Sequence, residues 1–202
     1  MDRRAVLKSG GAAALGVLAL TAVESGTTPA LAGPSNVWVP MPNPADGGVV
    51  SPPFSKNLTA EERMHLKTFD ELDFEVFSNA DWDRLGQSHA EHIRVHWPDG
   101  HFTDGFEQHQ RDLEFLFVWA PDTHIDVHPL RVAKNELTAV TGVMRGTFTK
   151  PMPDGKGGFI APTGKAYSIN MCTVGIWNKQ GTMDEEFLFW DNQTFYSQIG
   201  LA

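Results

Sequence analysis

Met183-Asp184-Glu185-Glu186-Phe187-Leu188-Phe189-Trp190-Asp191-Asn192-Gln193 runs from an acidic triplet through an aromatic-rich segment to a polar end. Its aromatic centre suits a strand, read over residues 185–191. Successive side chains of a strand point to opposite faces. Glu185, Phe187, Phe189 and Asp191 therefore share one face, and Asp184, Glu186, Leu188 and Trp190 the other. Burial of Asp191 at the end of the Phe187 and Phe189 row would raise its pKa and make it a base near neutral pH. The competing reading is an Asp in water that caps the turn after it.

Further strands read upstream at residues 125–132, 137–149 and 167–177, joined by loops rich in Gly, Pro and Asn, which implies antiparallel pairing. Helices come before them. Thr59-Ala60-Glu61-Glu62 is a capping box, and Leu66, Phe69, Leu72 and Val76 follow at helical spacing to about Phe77. Asp81 reads as the N-cap of a shorter helix carrying Trp82, Leu85 and His89, which gives way before Ile93-Arg94-Val95-His96-Trp97. A third helix is expected over residues 106–119, with Phe106, His109, Leu113, Leu116 and Phe117 on one stripe. The predicted fold class is α+β, with a strongly curved antiparallel sheet wrapped around about three N-terminal helices and an interior pocket. Gly142, Gly146 and Gly175 suit bulges or bends that would curl the sheet.

Ahead of this domain, expected over residues 58–202, two segments differ in composition. Residues 1–32 read as an export signal: Arg3-Arg4 resembles the twin-arginine motif, an apolar run spans residues 12–22, and Ala30-Leu31-Ala32 offers a cleavage site. The apolar run is shorter than the roughly 20 residues a bilayer needs. Residues 33–57 form a Pro/Gly-rich linker in which Trp38 and Val39 could pack as a strap. The net charge of −9 argues against nucleic acid and anionic membranes as partners. Cys172 is the only cysteine, so no internal disulfide can form, and no adjacent base marks it as a nucleophile.

The chain resembles SnoaL-like proteins of the NTF2-like superfamily, the group that includes polyketide ester cyclases. The resemblance runs from Thr59 to Ala202 and rests on Val95-His96-Trp97-Pro98-Asp99-Gly100, Gly142-Val143-Met144-Arg145-Gly146-Thr147-Phe148, Pro162-Thr163-Gly164-Lys165, the 184–191 stretch and Gln198-Ile199-Gly200-Leu201. It implies a cone-shaped fold and an Asp on the last strand as base, the position held by Asp191. That base would take a proton alpha to a carbonyl, and the enolate would close a ring by aldol chemistry without any cofactor. A non-catalytic small-molecule binder and a hydratase or epoxide-hydrolase-like enzyme are the alternatives.

His96 is read as the second catalytic group, with His109, Trp97, Phe187, Phe189, Trp190 and Met171 lining the pocket around a small apolar substrate. Metal ligation is read as none: His89, His92 and His96 align only if one helix continues to residue 96, and His124-x-Asp126-x-His128 reads as a polar strand face. Arg145 is read as pairing with a neighbouring acid. An apolar outer sheet face would be covered by a second subunit, giving a homodimer.

Overall fold

A computed structural model describes residues 50–202. The export signal, Trp38 and Val39 lie outside the described residues.

Helix α1 (Ala60–Glu71) starts where its sequence says it should. The Thr59 side chain accepts from the Glu62 amide, and the Glu62 carboxylate accepts from the Thr59 amide at 2.9 Å. Glu62 also accepts from the Asn135 amide at 3.1 Å, which ties the helix start to a strand turn. A π-helical turn (Leu72–Phe77) continues α1, and Leu66, Phe69, Leu72 and Val76 are buried along one side. The second helix is only a 3₁₀ segment (Trp82–Gln87) and ends before His89. His89 instead opens strand β1 (His89–His96). Short β2 (Phe102–Asp104) leads into α2 (Phe106–Trp119), as the periodicity predicted.

Residues 125–132 do not form one strand. They divide into β3 (His124–Ile125) and β4 (Leu130–Lys134), separated by a turn in which His128 is buried. After them come β5 (Leu137–Thr147), a small β6 and β7 pair (Met152–Pro153 and Phe159–Ile160), β8 (Ala166–Trp177) and β9 (Met183–Trp190). The main sheet runs β2-β1-β9-β8-β5-β3, with β4 also on β5. Most pairs are antiparallel, but β1 and β9 are parallel, which alternation alone does not signal. The result is a curved, antiparallel-dominated sheet holding the helices against its inner face, an α+β cone as the sequence predicted.

The chain closes with α3 (Asn192–Ile199), a helix that the strand reading did not include. Asp191 is its N-cap and Gly200, at φ 79°, its left-handed C-cap.

The glycines act differently from the expectation. Pairing of β5 with β8 is continuous from Leu137 opposite Ile176 to Thr147 opposite Ala166, with no bulge at Gly142 or Gly146. Register shifts fall between His89 and Arg94 and between Ile176 and Trp177. Gly146 exists for close approach: a Cβ there would lie 2.5 Å from the Tyr167 hydroxyl, which meets Thr123 Oγ1 at 2.6 Å. Gly146→Ala is expected to displace that ring and cost about 1–3 kcal/mol by overpacking. Urea unfolding checks this, and a midpoint unchanged from wild type would contradict it.

Candidate active site

The inner face of β9 is the one that carries Glu186, Leu188 and Trp190, with Glu186 and Leu188 buried and Trp190 packed against both core clusters. Phe189, on the other face, is 52% exposed. Phe187 is half-buried and stacks face to face on His96 at 4.1 Å between centroids.

This facing overturns the expected environment of Asp191. The residue is exposed and spends its carboxylate on the cap, accepting from the Gln193 amide at 2.9 Å and the Thr194 hydroxyl at 2.5 Å. The Thr194 hydroxyl bond, with the Thr194 and Gln193 amides, holds the Asp191 pKa below the usual carboxylate value, the reverse of the raised pKa expected for a base. His96 is likewise on the outer face: its Nε2 lies 2.6 Å from Glu185 Oε1, and both are about one-third exposed. Neither Asp191 nor His96 faces the interior.

What the interior face gathers instead is Glu186 with two histidines. His89 comes from the start of β1, beside the irregularity in its ladder with β9; bulges re-aim side chains in this way. His109 comes from the first turns of α2, where it and Trp119 are the buried residues of that helix. All three are buried, at 3%, 2% and 4% exposure for His89, His109 and Glu186. Glu186 Oε2 lies 3.5 Å from His109 Nε2 and 3.8 Å from His89 Nε2. These distances exceed a hydrogen bond. Glu186 Oε2, His89 Nε2 and His109 Nδ1 have no hydrogen-bond partner.

One proton on His89 can be placed. Its Nδ1 is 3.2 Å from the Leu85 carbonyl and 2.9 Å from the Ser88 hydroxyl, which itself donates to Leu85. A carbonyl only accepts, so Nδ1 donates, and Nε2 is the ring atom turned toward Glu186. For His109, burial first and the neighbouring His89 second hold the pKa well below its ordinary value, so the ring is neutral.

Trp97 and Trp190 flank this cluster, Trp97 with its ring 6.2 Å from His109 and 6.4 Å from Trp190. Met171 sits opposite Trp190 in the β8–β9 ladder and is buried in the adjoining core. The structure thus brings His109, Trp97 and Trp190 together, keeps Met171 nearby and turns Phe187 and Phe189 outward. Sequence reasoning missed Glu186 and His89. The signal for Glu186 was its shared facing with Leu188 and Trp190, an acid in an apolar row; His89 carried none, because it was read as helical.

Two other groups of polar residues are structural. His128 binds Asp70 at 2.7 Å and Asp73 at 2.8 Å, and does not join His124 and Asp126 as a ligand set. Arg145 pairs with Asp126 at 2.7 Å, the kind of acid partner the sequence suggested.

Comparison with known proteins places the chain in a family. The family model for SnoaL-like polyketide cyclases matches residues 68–199. No curated protein matches the sequence. Among solved structures, a candidate SnoaL-like polyketide cyclase from Jannaschia sp. CCS1 superposes with a TM-score of 0.62 at 18% identity, over 72% of this chain and 97% of that one. IdmH, a candidate polyketide cyclase from Streptomyces antibioticus, gives 0.57 at 23% identity, over 67% and 98%. A candidate polyketide cyclase from Xanthomonas campestris pv. campestris gives 0.60 at 14%, over 69% and 99%. These likenesses concern the fold, while the family model covers well over half of the sequence: the chain belongs to the SnoaL-like polyketide cyclase family.

Proposed function

We propose that this protein is an exported enzyme of the cyclase or isomerase type that acts on a small apolar carbonyl compound at the Glu186–His89–His109 cluster. The carrying observation is that a buried carboxylate whose Oε2 has no hydrogen-bond partner meets two buried imidazoles on the inner face of the sheet. Glu186 takes a proton from the carbon next to a carbonyl. His109, being neutral, offers an N–H to the carbonyl oxygen as negative charge develops there. The enolate carbon attacks a second carbonyl of the same molecule, and the proton returns to the new alkoxide. Product and substrate are then isomers, and the step itself needs no cofactor. Trp97 and Trp190 supply apolar surface for the substrate.

A thermal-shift screen of apolar dicarbonyl compounds, followed by turnover assays on the hits, tests this. Conversion of a hit to an isomer of equal mass is expected. Tight binding with no conversion would replace the enzyme reading with that of a small-molecule binder. The export part rests on Arg3-Arg4, the apolar run and Ala30-Leu31-Ala32. Changing Arg3 and Arg4 to Lys is expected to hold the protein in the cytoplasm, and undiminished export of that variant would refute the route.

A further inference from the structure

We infer that His89, His109 and Glu186 form a binding site for one divalent transition-metal ion of the zinc type, and that this ion regulates the proposed reaction by occupying its catalytic groups. The inference rests on the location of the reaction centre proposed above, but its test does not depend on turnover.

The unpaired atoms carry the argument. His89 Nε2 lies 3.8 Å and His109 Nε2 3.5 Å from the same Glu186 carboxylate oxygen, both too far for a hydrogen bond, and neither that oxygen nor His89 Nε2 has another partner. Buried polar atoms left without partners are costly, because nothing replaces the water they gave up. A cation between them resolves the arrangement. Tetrahedral zinc, with ligands at about 2.0–2.2 Å, holds its donor atoms roughly 3.3–3.6 Å apart. One atom from each of the three side chains lies within 4.8 Å of the others, so small side-chain adjustments close the set.

The donor types agree with that size. Two imidazoles and one carboxylate suit zinc, cobalt or ferrous iron, and they leave positions open, whereas magnesium and calcium want oxygen ligands. The outer partner is present too. Nδ1 of His89 is turned to the Leu85 carbonyl and the Ser88 hydroxyl, the backing that fixes a ligating histidine. The three ligands come from β1, α2 and β9, so the fold and not one flexible loop fixes the triangle.

An ion held here occupies the Glu186 oxygen that takes the proton and the His109 nitrogen that would donate to the carbonyl oxygen. The loaded form is therefore the inactive one, and a chelator restores activity.

The test is titration of the full-length chain, stripped with a chelator, with Co²⁺ followed by its visible absorption and with Zn²⁺ followed by calorimetry. One ion per chain is expected, with visible bands of a nitrogen and oxygen site. Glu186→Gln and His109→Phe should each lose at least the ~100-fold in affinity that even the outer partners of a ligand can be worth. His92→Asn should leave binding intact, since the His92 and Asp184 pair, 3.2 Å apart, is the exposed competitor. Circular dichroism identifies any variant that fails to fold, and the wild-type cobalt spectrum stands without the variants. Absence of stoichiometric binding, or binding that Glu186→Gln leaves unchanged, would overturn the site. Zn²⁺ that binds but leaves turnover unaltered would overturn the regulatory role. If no carbonyl compound is ever converted, the reaction proposal fails and the ion titration still decides the site.

Discussion

Glu186→Gln is expected to lower turnover of any converted compound by ~10²–10⁴-fold, the usual worth of a positioned acid or base. Its affinity for the compound should change only a few-fold, because Gln keeps the size and remains buried. The argument is one of position: Glu186 is 4% exposed among interior side chains, and its Oε2 has no hydrogen bond to lose. Asp191→Asn is the paired control. Asn caps a helix about as well as Asp, so α3 should survive and turnover should remain within a few-fold of wild type. Steady-state kinetics on both variants checks the pair. A large loss in Asp191→Asn with little loss in Glu186→Gln would restore the strand-end aspartate as the base.

The second large effect concerns stability. His128→Leu is expected to cost about 3–5 kcal/mol, because it leaves Asp73 without its cation and removes one of the two that hold Asp70. Burial alone would strip the proton from His128, but the hydrogen bonds and charges of Asp70 and Asp73 outweigh it and push the pKa up to about 9. Arg131 also pairs with Asp70, so two cations balance two anions. The network fastens the turn before β4 to the end of α1. It also holds the linker: the His128 amide donates to Ser51 Oγ at 2.9 Å, and Arg131 donates to the Pro52 carbonyl and lies 4.3 Å from the Phe54 ring centroid.

The pH dependence has a definite sign. With the folded pKa above the unfolded one, the His128 contribution is fully present below about pH 6.5 and is lost as pH rises through about 9. The shift corresponds to on the order of 3 kcal/mol. His65, buried against Trp177 at 4.7 Å between centroids, has its pKa lowered chiefly by burial. Its contribution has the opposite sign: present above pH 6.5 and lost as pH falls. Melting of wild type and His128→Leu from pH 6 to 9.5 checks this. The wild type should lose stability across that range and the variant should not. Parallel curves would contradict the assignment.

Local chemistry was legible where it depends on near neighbours. The capping box of α1 and the stripe of α2 came from spacings of three and four residues, and both elements stand where predicted. The facing of side chains along β9 was legible as a parity. Which parity faces inward was not, because that depends on where α2 and β1 pack, and nothing within residues 183–190 records it. The irregularity between His89 and Arg94 was equally hidden, since a polar run at a strand start resembles the end of a helix. Helix α3 was legible and missed. Asp191 followed nine residues later by Gly200 is a start and stop pair, and reading Asp191 as a cap would have removed it from the interior at once.

Chemistry at the buried cluster, and not at the strand end, makes a structural prediction. A crystal structure of the protein with a converted carbonyl compound, trapped in Glu186→Gln, tests it most directly. The reacting carbon is expected within about 3.5 Å of the residue 186 side chain and the carbonyl oxygen within hydrogen-bond distance of His109. A compound seated on the outer face against His96 and Phe187, or at the Asp191 cap, would contradict it.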